Sequence, residues 1–301
     1  VLKNLEVSES APEKVNSSII VSGCARSGTS ILGRLLHTFK DVEYAYEPPA
    51  LISIISLIDQ LPKRQWKMLF EAYLYEEVLI NSIAGRSINC NRADESSIYK
   101  AKSLIDIEGR LNVTTNKIDA EAVSKGKNIC FKIPSIIEFI PVIRQYYPSI
   151  RVVLIRRDAI GNISSLLRKK WFSDQSMKGS LLWPFEVYRN KRVPFWVDVN
   201  DYDNWILMSE LERCAYYYVR MNEHMEKVDD YIEIKYSELV SAPGQVSDQI
   251  SRCLNLVYDS KTLSVINSIR EQPRAIMSHD FLDELNSELK EKVLHYSRLS
   301  L

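Results

Sequence analysis

The sequence has no surplus of charge of either sign. Its 39 Lys and Arg are matched by 39 Asp and Glu, so no overall field gathers nucleic acid, and no nucleic-acid partner is expected. Cysteine is sparse: positions 24, 90, 130, 214 and 253 are odd in number and unclustered. That pattern argues against a zinc site or a disulfide frame and suits a reducing compartment, with the thiols mainly serving as small core residues. No apolar run is long enough to span a bilayer. The longest, Ala50 to Ile58, is short and carries serines, so a transmembrane segment is not expected. Signal-peptide patterning, internal repeats and low-complexity tracts are also missing, and the expected location is cytoplasmic. With 46% hydrophobic and 26% charged residues, the composition is that of an ordinary globular protein.

One further absence sits inside the most informative stretch. Ile19 to Val21 read as a buried strand, and Ile31, Leu32, Leu35, Leu36 and Phe39 recur with helical period. Between them Gly23-Cys-Ala-Arg26-Ser27-Gly28-Thr29-Ser30 has the glycine spacing of a nucleoside-triphosphate P-loop without its lysine. Thr29 stands at the lysine position, and the nearest cation is Arg26, three residues earlier. Backbone N–H groups, the helix dipole and the hydroxyls of Ser27, Thr29 and Ser30 still make an anion site. What it holds should be a phosphate that needs no metal, a handle or a leaving group. A ligand-free glycine turn is the bland alternative.

A second strand-to-helix junction lies at residues 150–167. Val152 to Ile155 form a β-branched strand, Arg157 stands at its end, and Ser165 follows eight residues later. Both can meet at the carboxyl edge of a parallel sheet, where a guanidinium fork and a hydroxyl suit a separate phosphate. Arg157 paired with Asp158, and Ser165 merely solvated, is the competing reading.

Together these segments resemble the sulfotransferases that use 3′-phosphoadenosine 5′-phosphosulfate (PAPS). The resemblance implies that Arg26, Ser27, Gly28, Thr29 and Ser30 grip the 5′-phosphosulfate, and that Arg157 with Ser165 holds the 3′-phosphate. Three more stretches fall in the family's order. Phe131-Lys132-Ile133-Pro134 is similar to its middle strand. Ile232 to Leu239, containing Tyr236, is similar to the strand end whose tyrosine lies by the adenine. Tyr46-Glu47-Pro48 resembles the F-E-P element of the carbohydrate branch, toward which Arg26 in place of lysine also leans. The likeness runs from residue 18 to about 260. Departures are Ala159 in place of the family's proline, Pro134 in place of the aryl branch's histidine base, and no visible C-terminal R-K-G. Arg274 or Ser278 are candidates to replace that last element.

Strands are expected at 18–22, 42–46, 129–133, 150–156 and 231–235. Helices are expected at 29–40, 50–60, 63–84, 135–146, 160–170, 204–228, 243–255 and about 280–298. This alternation predicts an α/β fold, a P-loop-like parallel β-sheet flanked by helices. The expected organisation is a polar, loosely ordered leader over 1–17 and a single domain over 18–301. Residues 171–205 interrupt the pattern with nine aromatic side chains, among them Trp171, Phe172, Trp196 and Trp205, and a basic run from Arg189 to Arg192. They read as an acceptor-binding insertion offering flat faces to sugar rings, or as a structural loop anchored by its aromatics. Residues 86–128 are candidates for a second wall of the acceptor cleft.

The implied reaction is transfer of a sulfuryl group from PAPS to an acceptor hydroxyl, on a saccharide or glycan, with no metal. A phenolic, lipid or other small-molecule acceptor is the alternative. The attacking oxygen must lose a proton. Glu47, beside the loop mouth and followed by two prolines, is the candidate base; helix capping is its rival role. Arg26 and the loop N–H groups stabilise the leaving phosphate, and Lys132 can reach the same charge. None of the histidines at 37, 224, 279 and 295 occupies a base position. A P-loop kinase is disfavoured by the missing lysine and by the lack of an evident magnesium-binding aspartate. A catalytically silent nucleotide binder is disfavoured by the presence of Arg26, Glu47, Arg157 and Ser165.

Overall fold

The computed structural model describes residues 7–112, 115–179, 184–258, 260–270 and 279–300. Five short runs rich in Ile, Val and Tyr form one sheet: β1 (Ile19–Gly23), β2 (Val42–Tyr46), β3 (Asn128–Lys132), β4 (Arg151–Arg156) and, further along the chain, Ile232–Lys235. The last is β7, because a hairpin of β5 (Phe185–Tyr188) and β6 (Lys191–Pro194) intervenes. The sheet order is β2-β3-β1-β4-β7, and every pairing in it is parallel. The chain has the expected α/β fold, a parallel five-stranded sheet flanked by helices.

A parallel sheet must be covered on both faces, so its strands are apolar on both. Alternate residues accordingly feed two cores. Ile20, Phe131, Val152 and Leu154 face a large core built with helices Lys63–Glu71, Ala159–Lys169 and Glu210–Met225. Ile19, Val21, Cys130, Val153 and Ile155 face a smaller one under helices Thr29–His37 and Pro243–Leu254. The stripe Leu32, Leu35, Leu36 and Phe39 fills that smaller core, with Ile31 partly buried beside it.

Several expectations need correction. Part of the polar leader is docked: Ala11–Asn16 is helical, and Ala11 and Val15 are fully buried. The helix expected over 63–84 changes pitch, running as Lys63–Glu71 and then as a π-helix over Ala72–Ile80. The span 204–228 breaks at 206–209, where Ser209 and Glu212 form a reciprocal capping box that starts Glu210–Met225. The hairpin was not foreseen; Arg189 and Asn190, both at positive φ, make its turn. Residues 86–128 hold a 3-10 turn at Ile98–Lys100 and two α-helices: Leu104–Asn112, whose Arg110 reaches Glu43 on the edge strand β2, and Lys117–Ser124, which packs on the 72–80 helix. Of the cysteines, 24, 130 and 214 are buried and 90 and 253 exposed, all free. No helix among the described residues is long and apolar enough to cross a membrane.

The edge strand is clamped to that insertion by buried charge. Arg110 donates to both Glu43 oxygens, at 2.8 and 2.9 Å, with Glu43 only 2% exposed. Lys102 donates to the Phe39 and Val42 carbonyls. Removing Glu43 takes the bidentate partner from the buried Arg110 guanidinium and leaves only Asp106, 39% exposed and 3.2 Å from Arg110 Nε, to offset its charge. Glu43→Ala should therefore lower unfolding stability by about 3 kcal/mol, read from urea denaturation midpoints. A loss under about 1 kcal/mol would mean the pair behaves as a solvated one.

Candidate functional site

Register brings the pieces of the site together. Tyr46 and Val21 both lie opposite Lys132, Gly23 lies opposite Ile155, and Arg156 lies opposite Lys235. The segments that follow these residues therefore leave the sheet along one rim, its carboxyl edge, where open α/β sheets hold ligands. Glu47, the loop 24–28, Ser135, Arg157 and Tyr236 all stand there.

The loop leads into helix Thr29–His37, whose N-cap is Gly28 with φ 97° and no side-chain cap. The first-turn N–H groups of this helix, which have no intrahelical acceptors, thus remain donors for an anion. Glycine at 28 has two causes. The left-handed φ favours it, and a Cβ there would lie 2.6 Å from the Tyr236 ring. Tyr236 packs against the loop, and the Arg157 guanidinium lies 4.2 Å from its ring centroid. Arg157 also donates to the Arg26 carbonyl at 2.9 Å. The Ser165 hydroxyl accepts from Arg26 Nε at 3.2 Å. The loop and the R-x7-S element are thereby joined into one basic cradle. Burial, then the charges of Arg157 and Arg168, push the Arg26 guanidinium down from its usual range. An anion in the cradle would offset this crowding of like charge.

At the other end of the loop stands Lys132, fully buried. Its ammonium forms a short ion pair with Glu47 and donates to Ser30 Oγ at 3.2 Å. It also lies 4.2 Å from the centroid of the Tyr46 ring. Burial pushes this ammonium down, and Glu47 opposes that shift. The Glu47 backbone N–H donates to the Lys132 carbonyl at 2.9 Å, and Tyr46 OH lies 3.3 Å from Ser30 Oγ. Arg26, Glu47 and Ser135 all have left-handed backbone conformations without being glycine. Strain of this kind persists where surrounding structure over-determines the backbone, often around functional groups.

With this geometry in hand, comparison with known proteins is decisive on one point. The model of the Sulfotransferase family matches residues 18–260. The chain belongs to the sulfotransferase family. No curated protein matches it. Among solved structures it is similar to the sulfotransferase domain of the Synechococcus PCC 7002 olefin synthase, at 11% identity and TM-score 0.43, covering 94% of this chain and 93% of that one. It is also similar to the sulfotransferase domain from the curacin biosynthetic pathway (12%, TM-score 0.46, 94% and 96%). A sulfotransferase from Alicyclobacillus acidocaldarius gives 14%, TM-score 0.46, and 94% of both chains.

Two residues that hold the loop escaped the sequence. Asn162, fully buried, donates to Ser27 Oγ and the Ala25 carbonyl, both at 2.9 Å, and accepts from the Cys24 thiol. Tyr217 OH accepts from the Ala25 N–H at 2.9 Å and shares a hydrogen bond with Ser135. Asn162 lies one turn before Ser165 inside the helix already singled out; Tyr217 lies 192 positions from Ala25 and carries no local signal.

The aromatic segment 171–205 is divided between core and surface. Phe172, Trp196 and Trp205 are buried, with Trp196 and Trp205 edge to face at 5.1 Å and Trp196 4.7 Å from Tyr217. These rings cannot stack on a sugar. Trp171, Phe185, Tyr188, Phe195 and Tyr202 are only partly buried, and Trp171 lies 5.5 Å from the Arg26 guanidinium. The basic run caps the hairpin, with Arg189 paired to Asp203 and Lys191 donating to the Ile206 carbonyl. Trp183, Arg274 and Ser278 lie outside the described residues.

Gly28→Ala should displace Tyr236 and lower unfolding stability by about 1 kcal/mol or more, read from urea denaturation midpoints. Gly109→Ala, where an added Cβ meets nothing within 4 Å, is the control and should lose no stability. An undiminished midpoint in Gly28→Ala would mean that the Tyr236 ring does not hold the loop.

Proposed function

We propose that the chain transfers a sulfuryl group from PAPS to a hydroxyl, most naturally on a saccharide. The observation that carries this reading is the rim itself. One anion-binding loop has a guanidinium and an aromatic ring at one end, Arg157 and Tyr236, and a buried ammonium with a carboxylate at the other, Lys132 and Glu47. The residues fit the donor. The uncapped helix end with Arg26 suits its 5′-phosphosulfate, Arg157 and Ser165 its 3′-phosphate, and Tyr236 its adenine. When bound, the donor supplies a sulfuryl group carried on a phosphate that departs.

The chain's own contributions follow from where each group stands. A carboxylate oxygen of Glu47 takes the proton of the acceptor hydroxyl as the hydroxyl oxygen bonds to sulfur. Lys132, between Glu47 and Ser30, orients the base on one side and offsets negative charge near the loop on the other. Arg26 and the first-turn N–H groups stabilise the phosphate charge that grows as the old sulfur–oxygen bond breaks, using dipoles fixed in advance. The left-handed backbone at Glu47 turns its carboxylate back toward β3, which favours the base role over helix capping. The next helix, Pro49–Ser56, has no side-chain cap in any case.

Two substitutions test the assignments. Arg157→Ala should weaken adenosine 3′,5′-bisphosphate by about tenfold or more while leaving 5′-AMP nearly unchanged; equal losses would reject a 3′-phosphate role. Glu47→Gln should preserve bisphosphate affinity within about threefold and lower turnover by about 10²-fold or more. Undiminished turnover would place the base elsewhere.

A further inference from the structure

Phe172, Trp196 and Trp205, the aromatic rings packed beside the loop's support, are interior, and a cavity beside Glu47 offers the acceptor's body a different surface. This cavity, of about 370 Å³, lies at the open edge of the sheet between β2, the residues 72–80 helix and the loop 86–98. That volume falls in the range of small-ligand sites. Its inner wall is Tyr46, whose hydroxyl is 3.3 Å from Ser30 Oγ and whose ring lies 4.2 Å from Lys132 Nζ. The cavity thus begins one residue from Glu47. Tyr73, half-buried, gives a second aromatic wall, and Glu77, Arg86 and Asn89 bring planar polar groups around it.

Charge decides the class of occupant. Glu43 is neutralised by Arg110. His37 is held uncharged, its pKa pushed well below the ordinary histidine value by burial and then by Lys102 and Arg110. Glu77, anchored by Asn81 and Ser87, and Arg86, exposed at the rim, balance each other. A net-neutral cavity with aromatic faces and several fixed donors and acceptors is poor for an anion and too polar for a purely apolar ring. Tyrosine faces take the C–H face of a pyranose, while carboxylate, amide and guanidinium groups take its paired hydroxyls.

We infer that this cavity is the acceptor subsite and that it receives a neutral pyranose ring, one of whose hydroxyls passes Tyr46 to reach Glu47. This rests on the sulfuryl-transfer reading above and adds the location and charge class of the acceptor. The lining comes from residues 73–98 and β2, not from 171–205.

The test uses the full chain saturated with adenosine 3′,5′-bisphosphate. A panel of methyl glycosides (glucoside, galactoside, mannoside, N-acetylglucosaminide), methyl glucuronide and 4-nitrophenol is screened by saturation-transfer NMR and calorimetry. At least one neutral glycoside should bind better than methyl glucuronide and 4-nitrophenol. Its affinity should fall tenfold or more in Tyr73→Ala and in Arg86→Ala, with bisphosphate affinity unchanged as the control for folding. Preference for the glucuronide or the phenol overturns the class of ligand. No binding by any neutral glycoside, or glycoside binding untouched by both substitutions, overturns the site. Loss of bisphosphate binding by the unmodified chain would instead sink the donor assignment, so the two failures are distinct.

Discussion

A buried ammonium at the end of β3 is the constraint around which the site is organised. Lys132 has no access to water, and a charge so placed is tolerable only when it is paired and hydrogen-bonded. Its partners come from two other elements, Glu47 after β2 and Ser30 at the start of the loop helix. Satisfying one cation therefore fixes the relative positions of three chain segments. The left-handed backbone at Glu47 is one cost of that arrangement.

A second set of buried polar contacts fixes the loop from behind. Asn162 and Tyr217 hold the backbone of Ala25, and Asn162 holds the Ser27 hydroxyl. Loops that bind anions through N–H groups need those groups aimed before the ligand arrives, because reorganisation would consume binding energy. Here the aiming is done by helices Ala159–Lys169 and Glu210–Met225, packed on the same face of the sheet. The aromatic cluster of Phe172, Trp196 and Trp205 packs against Tyr217. Those rings support the loop from the interior rather than presenting faces to an acceptor.

Much of the fold and part of the site were legible in the chain itself. The five sheet strands fall within a residue or two of expectation, because β-branched runs buried on both faces leave a strong pattern. The loop residues and Arg157 were visible because chemistry sits at strand-to-helix junctions, which are local features. The helix at Ala11–Asn16 was not, since its buried face is only Ala11 and Val15. The hairpin was hidden because the aromatic residues around it have no period, and the Arg26–Ser165 hydrogen bond because nothing local relates the two residues.

Local patterns in the chain point to a parallel α/β sheet and to a lysine-free glycine loop of P-loop spacing, since both depend on neighbours within a dozen positions. Only the tertiary structure decided which groups meet. The Lys132–Glu47–Ser30 contact, the Arg26–Ser165 bond and the cavity beside Tyr46 join segments 16 to 139 positions apart. Long-range juxtaposition follows from strand order and register. A one-dimensional pattern carries burial, but not which strand will lie beside which.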